Sequence, residues 1–183
     1  MAVTIFDYLQ TVPDFREASG KRYALADMLL MMIFGMLSGY YGYRELGTFV
    51  KANRPELVAL LGLQRDAVPS YGTFRTVMGG VDFLALRECF SQWAHEHLKI
   101  APGEVLSLDG KALASTVSNY DNDKQDFISF LSVFAQRQGA VLSLSSYHHG
   151  KSNEIVELRD LIEALGLTGV TFSVDALHCQ KKH

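Results

Sequence analysis

Cysteine is scarce in this sequence: Cys89 and Cys179 are its only two. Two thiols cannot build a disulfide framework, and neither stands in a Cys-x-x-Cys or other zinc-ligand spacing, so both are expected free in a reducing compartment. A long hydrophobic run is missing too. Met28 to Leu37 is strongly apolar, but it is about half of the roughly 20 residues a membrane-spanning helix needs, and Asp27 and Ser38 bound it. It reads as a buried core helix, with no membrane partner. No basic stretch precedes an apolar run at Met1-Ala2-Val3-Thr4, so no secretory signal is read there and a cytoplasmic location is expected. Nor is there an excess of positive charge. With a net charge of -3, any contact with nucleic acid must come from local Lys and Arg patches.

What is present is apolar content, 48% of 183 residues, enough for a sizeable core in one medium domain or two small ones. The first half has helical texture. Thr4 is a plausible cap for a short helix to Leu9, ended by Val12-Pro13-Asp14. A buried helix is predicted from about Leu25 to Leu37, then one from Tyr43 to Lys51. Asn53-Arg54-Pro55-Glu56 signals the start of another, with Leu57, Leu60 and Leu61 on one face and Gly62 as its stop. Ser70 caps a helix that Gly79-Gly80 ends. From about Asp82, Phe83, Leu86, Phe90, Trp93 and His97 recur at three- and four-residue steps and predict an inward aromatic face.

After Pro102-Gly103 the period shortens to β-like runs, which places a domain boundary near residue 100. Strands are expected at Val105 to Leu108, Phe127 to Ala135 and Ala140 to Tyr147, the last two joined by a hairpin at Gln136 to Gly139. Asn153 caps a helix bearing Ile155, Leu158, Leu161, Ile162 and Leu165 and closed by Gly166; a strand from Val170 to Val174 follows. The fold class is therefore α+β, a helical domain followed by an incomplete ribonuclease-H-like α/β domain.

That order places Asp109 after the first strand and Asp175 after the fourth, two strands that such a domain sets side by side and parallel. An acid at the end of each would face one crevice, and hard carboxylate oxygens suit Mg²⁺. Either acid alone says little: Asp-Gly is a common turn pair, although an acid closing an apolar strand such as Val170 to Val174 needs a partner. Lys111 and Lys151 are candidate phosphate contacts, with plain solvated lysines as the competing reading. Glu154 could replace a further acid, or it could compensate the helix dipole. Asn53 to Met78 could be a helix-turn-helix-like unit with Arg75, Arg65 and Arg54 as its cations, or ordinary helical packing. His148-His149 and His178-Cys179 lack the further ligands of a closed zinc site.

Asp14-Phe15-Arg16, Lys21-Arg22-Tyr23-Ala24-Leu25, Pro69-Ser70, Asp109-Gly110-Lys111, Lys151-Ser152-Asn153-Glu154-Ile155 and Asp175-Ala176-Leu177-His178-Cys179-Gln180 follow one another as in H-repeat-associated insertion-sequence transposases. The chain resembles that family along essentially its whole length. The resemblance implies a helical transposase-associated domain at 1-100, contacting DNA, and at 101-183 the first part of a DDE-type catalytic domain. It implies Asp109 and Asp175 as the first two catalytic acids and metal ligands, Mg²⁺ or Mn²⁺ as the ion, and Lys111, Lys151 and Arg75 as DNA contacts. The partners implied are transposon ends and a second copy or a full-length transposase. The family's third acid lies on a later helix, beyond Lys181-Lys182-His183, so a truncated chain without full strand-transfer activity is expected. The alternative is a non-catalytic DNA-binding or regulatory fragment that pairs with a full-length transposase.

Overall fold

In a computed structural model, residues 3-113, 128-148 and 154-174 are described. The chain forms two compact units, Met1–Phe90 and Ser91–His183. The helices in chain order are α1 (Ile5–Leu9), α2 (Leu25–Leu37), α3 (Tyr43–Ala52), α4 (Arg54–Leu61), α5 (Tyr71–Gly80) and α6 (Phe83–His97), with a 3-10 turn at Ala18–Gly20.

Local signals account for most helix ends. The backbone N–H and hydroxyl of Thr4 both donate to Asp7 Oδ2, at 2.7 and 2.8 Å, so orphan groups of the first turn of α1 are satisfied. Pro55 sits in the first turn of α4, and Gly62 ends it with φ 60°, a left-handed geometry that glycine adopts without a Cβ penalty. Most of the apolar run of α2 is buried, as its composition predicts, whereas Met36 and Leu37 at its end are exposed. Gly35 lies where Leu46 and Phe49 of α3 approach its backbone, so the missing side chain sets how closely these helices pack.

Two helical expectations, on the faces of α4 and α6, are corrected. Leu57 is buried but Leu60 is 65% exposed, so the leucine spacing of α4 does not make one inward face; an eight-residue helix at the surface needs only one anchor. The glycines at 79 and 80 are the last two residues of α5, as expected. The ring of Phe15 occupies the space where a Cβ of residue 80 would stand, and this close packing holds the last turn. In α6 the residues fully out of water are Cys89 and Ala94, whereas Phe83 is 40% exposed. His97 is exposed and stacks on Trp93, with ring centroids 5.5 Å apart.

The second unit is built on a sheet of β1 (Val105–Ala112), β2 (Ile128–Ala135), β3 (Ala140–His148) and β4 (Thr171–Ser173), with α7 (Glu154–Leu165) before β4. The strand order is β3-β2-β1-β4; β1 is antiparallel to β2 and parallel to β4. This is the expected adjacency of the first and fourth strands, in an α+β architecture. Alternation sends Leu106, Leu108, Leu131 and Val133 to one face, where they form a core with Leu142, Tyr147 and Leu158 of α7. The hairpin turns at Gly139 with φ 65°. One boundary differs from expectation: β1 continues beyond Leu108 to Ala112, because Asp109 to Ala112 stay paired with Ser132 to Ser129. Cross-strand bonding overrides the turn preference of Asp-Gly.

Candidate functional site

Asp109 lies mid-strand in β1, and its neighbours define its surroundings. Leu108 is buried against the α7 core, so the period of two turns Asp109 to the other face of the sheet, where it is exposed. Lys111, two positions on, is exposed and shares that face. The paired residue across the ladder is Ser132, whose hydroxyl donates to the Asp109 carbonyl oxygen at 3.4 Å. Among the described residues no cation forms an ion pair with the Asp109 carboxyl. Its oxygens are thus open to solvent and of the hard type that Mg²⁺ and Mn²⁺ take.

Glu154 opens α7 and reaches β1 from the other face. Its carboxyl lies over the Cα of Gly110, on the side of the sheet that Leu108 also faces. Asp109 and Glu154 therefore come to consecutive residues of one strand but on opposite faces, which separates Glu154 from the exposed acid. Its place is in the first turn of α7, where a carboxylate opposes the helix dipole. Nearby, burial pushes the Tyr147 phenol up; a hydrogen bond with Ser129 lowers it, and Glu154 and Glu157 add to the rise.

Asp175 and Lys151, with His149, Asn153, His178 and Cys179, lie outside the described residues; Val174 is the last described residue of the β4 segment. Among the described residues no three His, Cys, Asp or Glu side chains converge on one point, and no helix is long and apolar enough to cross a membrane. Arg75 is exposed on α5 and belongs to the helical unit. Arg54 pairs with Asp66 at 3.3 Å. In the segment Asn53 to Met78, α4 and α5 both pack on α3.

Two features escaped sequence reasoning. Arg16 is buried beside Asp14 and closes the loop that carries Lys21 and Arg22; the alternating charges of Asp14-Phe15-Arg16 were its only signal. Glu104, just before β1, is fully buried and accepts the backbone N–H of Arg137 at 2.9 Å. An acid preceding an apolar strand carries no sequence mark that it will be enclosed.

The profile of the family described as DDE_Tnp_1-associated matches residues 6–94. Over 179 residues, 97% of this chain, the sequence is 28% identical to "Putative transposase YncI" of Escherichia coli O157:H7, covering 45% of that protein. It is 25% identical over 178 residues, again 97% of the chain, to "H repeat-associated putative transposase YhhI" of Escherichia coli K12, covering 46% of it. A protein in the dhlA 3' region of Xanthobacter autotrophicus is 29% identical over 178 residues, 95% of this chain and 58% of that one. The chain thus spans about half the length of several curated relatives it matches. No solved structure matches.

Proposed function

We propose that this chain, which is similar to H repeat-associated putative transposases, carries on its sheet two acids, Asp109 and Asp175, of a metal-dependent site that processes DNA. One observation supports the pairing. Val105 lies opposite Thr171, Leu106 opposite Phe172 and Ser107 opposite Ser173, each pair 66 residues apart, and Asp109 and Asp175 are separated by the same interval. This shared interval supports reading the acids as partners; Asp175 itself lies outside the described residues. The strand order is the one expected of a ribonuclease-H-like, DDE-type domain, here residues 101-183, behind a DNA-contacting helical domain at 1-100.

In this reading the two carboxylates hold Mg²⁺ or Mn²⁺ through oxygen. Such an ion, when bound, supplies activation of an attacking oxygen and stabilisation of a leaving oxygen at a phosphodiester. The chain's own contribution is position: β1 holds Asp109 on an exposed face, and Lys111 on the same face meets a backbone phosphate beside it. Lys151 and Arg75 are further phosphate contacts, which orient DNA without reading its sequence. Transposition by the family's whole protein, at transposon ends and with a second copy, extends this proposal.

The test is Mn²⁺ titration of the isotopically labelled chain. Paramagnetic broadening is expected first at the amides of Leu108 to Gly110 and at Val174, and is lost in Asp109→Asn and in Asp175→Asn. Uniform or absent broadening in the wild-type chain overturns the assignment.

A further inference from the structure

Of the stretches that carry the family resemblance in the helical unit, Lys21 to Ala24 lines one surface hollow, and Arg16 and Ser70 line smaller ones that share residues with it or with each other. The Arg16 guanidinium, with its side chain only 8% exposed, grips Asp14. Its Nε donates to Oδ1 at 2.9 Å, and its Nη2 donates to Oδ2 at 2.8 Å and to the Tyr23 carbonyl at 2.9 Å. This buried clasp fixes the loop from both ends. Phe15, lying across Gly80, ties the same loop to α5. Lys21 and Arg22 are left exposed on its outer side.

There they border a cavity of about 640 Å³ whose far side holds Arg65, in the turn after α4. Adjoining hollows of about 350 and 450 Å³ continue it past Ser19 and Arg22 to Ser70 and Thr73 at the start of α5. The lining has three cations against one acid, Asp27, which is half-buried and whose carboxyl is pushed up by that burial. Lys21 is 3.8 Å from Asp14, but among the described residues Arg22 and Arg65 have no acidic partner. On a chain of net charge -3, this is a concentrated positive spot. Hydroxyls and cations around an open groove do not suit a small apolar ligand, which needs an enclosed and mostly apolar pocket. They do suit phosphate oxygens, which take hydrogen bonds from Arg, Lys, Ser and Thr.

We infer that the groove between the Lys21-Arg22 loop, the Arg65 turn and the start of α5 binds the phosphodiester backbone of DNA. Arg22 and Arg65 are its principal contacts, and Lys21, Ser19 and Thr73 line the path. This rests on the reading that DNA is the partner, and it adds a site on the helical unit that neither sheet acid supplies. The clasp explains why buried Arg16 and Asp14 accompany exposed Lys21 and Arg22: the first pair positions the second.

The experiment measures binding of the full chain to a fluorescent DNA duplex across a salt series, without divalent metal. Arg22→Glu with Arg65→Glu is expected to weaken binding about tenfold or more and to lower the salt dependence by about one unit of slope per lost contact. Lys51→Glu, the same charge change on an exposed residue of α3 away from the groove, is expected to bind as wild type. Should the glutamates lower the thermal midpoint, Arg22→Gln with Arg65→Gln is measured in their place, with the same direction expected. Wild-type affinity and salt slope in the groove variants overturn this site while leaving DNA as the partner. A wild-type chain that fails to bind DNA overturns both, and Mn²⁺ broadening then reports on the sheet acids separately.

Discussion

The Glu154 carboxyl rests over Gly110, in the space where any other residue would carry its Cβ. The first turn of α7 and the outer half of β1 are thus in contact through a glycine that lies in an extended strand rather than a turn. Gly110→Ala should be nearly neutral in the wild-type chain: about 0.5–1 kcal/mol gained by restricting the unfolded chain is offset by displacing Glu154. In a Glu154→Ala background the same change should be stabilising by that amount. A double-mutant cycle from denaturant unfolding measures the difference, and equal effects in both backgrounds would refute the contact.

Gly35 presents the opposite case, because its neighbours belong to a packed core. A Cβ there meets the side chains of Leu46 and Phe49, both buried. Gly35→Ala is expected to destabilise by about 1–2 kcal/mol net of the improved helix propensity. Gly79→Ala, where nothing lies within 4 Å, should instead stabilise by about 0.5–1 kcal/mol. Thermal midpoints of the two variants should therefore move in opposite directions.

Asp14 gives the helical unit an acid-sensitive element. The Arg16 hydrogen bond holds its carboxyl down at about 2, from the usual 3.8. A lowered folded-state pKa means the stabilisation is complete above the unfolded value and is lost as pH falls through the folded one. This window runs from about pH 4 to pH 2, and the contribution at stake is about 1–2 kcal/mol. The stability gap between wild type and Asp14→Asn should narrow across that range. A gap that stays constant from pH 5 to pH 2 would show that the clasp is not electrostatic.

Glu104 anchors the hairpin end of the sheet. Its Oε1 accepts the Arg137 backbone N–H at 2.9 Å, whereas the Arg137 side chain is 64% exposed and 3.8 Å from Oε2. Glu104→Ala strands a backbone donor and should cost about 1–3 kcal/mol. Arg137→Ala keeps that hydrogen bond and should cost less than about 1 kcal/mol. Chemical denaturation of the two variants settles the order, and a costlier Arg137→Ala would assign the anchor to the ion pair.

Much of the fold could be read from local signals. Thr4, Pro55, Gly62, Ser70 and Gly166 mark helix ends because capping satisfies backbone groups within a turn of the residue that does it. The apolar run of α2 and the alternation around Leu106 and Leu108 likewise declare burial on their own. Asp109-Gly110 was misread at its boundary, since a two-residue turn preference carries no information about Ser132 and Leu131 on the neighbouring strand. Leu60 of α4 and Phe83 and His97 of α6 were misassigned for a related reason: spacing tells which side chains share a face, not which of them meets the core.

For the candidate site the division is similar. The order of motifs in the sequence was sufficient to bring out the likeness to H repeat-associated transposases and to single out Asp109. Only the tertiary structure put Asp109 and Glu154 on opposite faces of one strand, matched the β1–β4 offset to the interval between the two acids, paired Arg16 with Asp14, and gathered Lys21, Arg22 and Arg65 around one groove. These relations join residues from 2 to 66 positions apart. The longer ones depend on strand register and helix packing, which are settled by cross-strand hydrogen bonds and core shape, and no local run of residues encodes either.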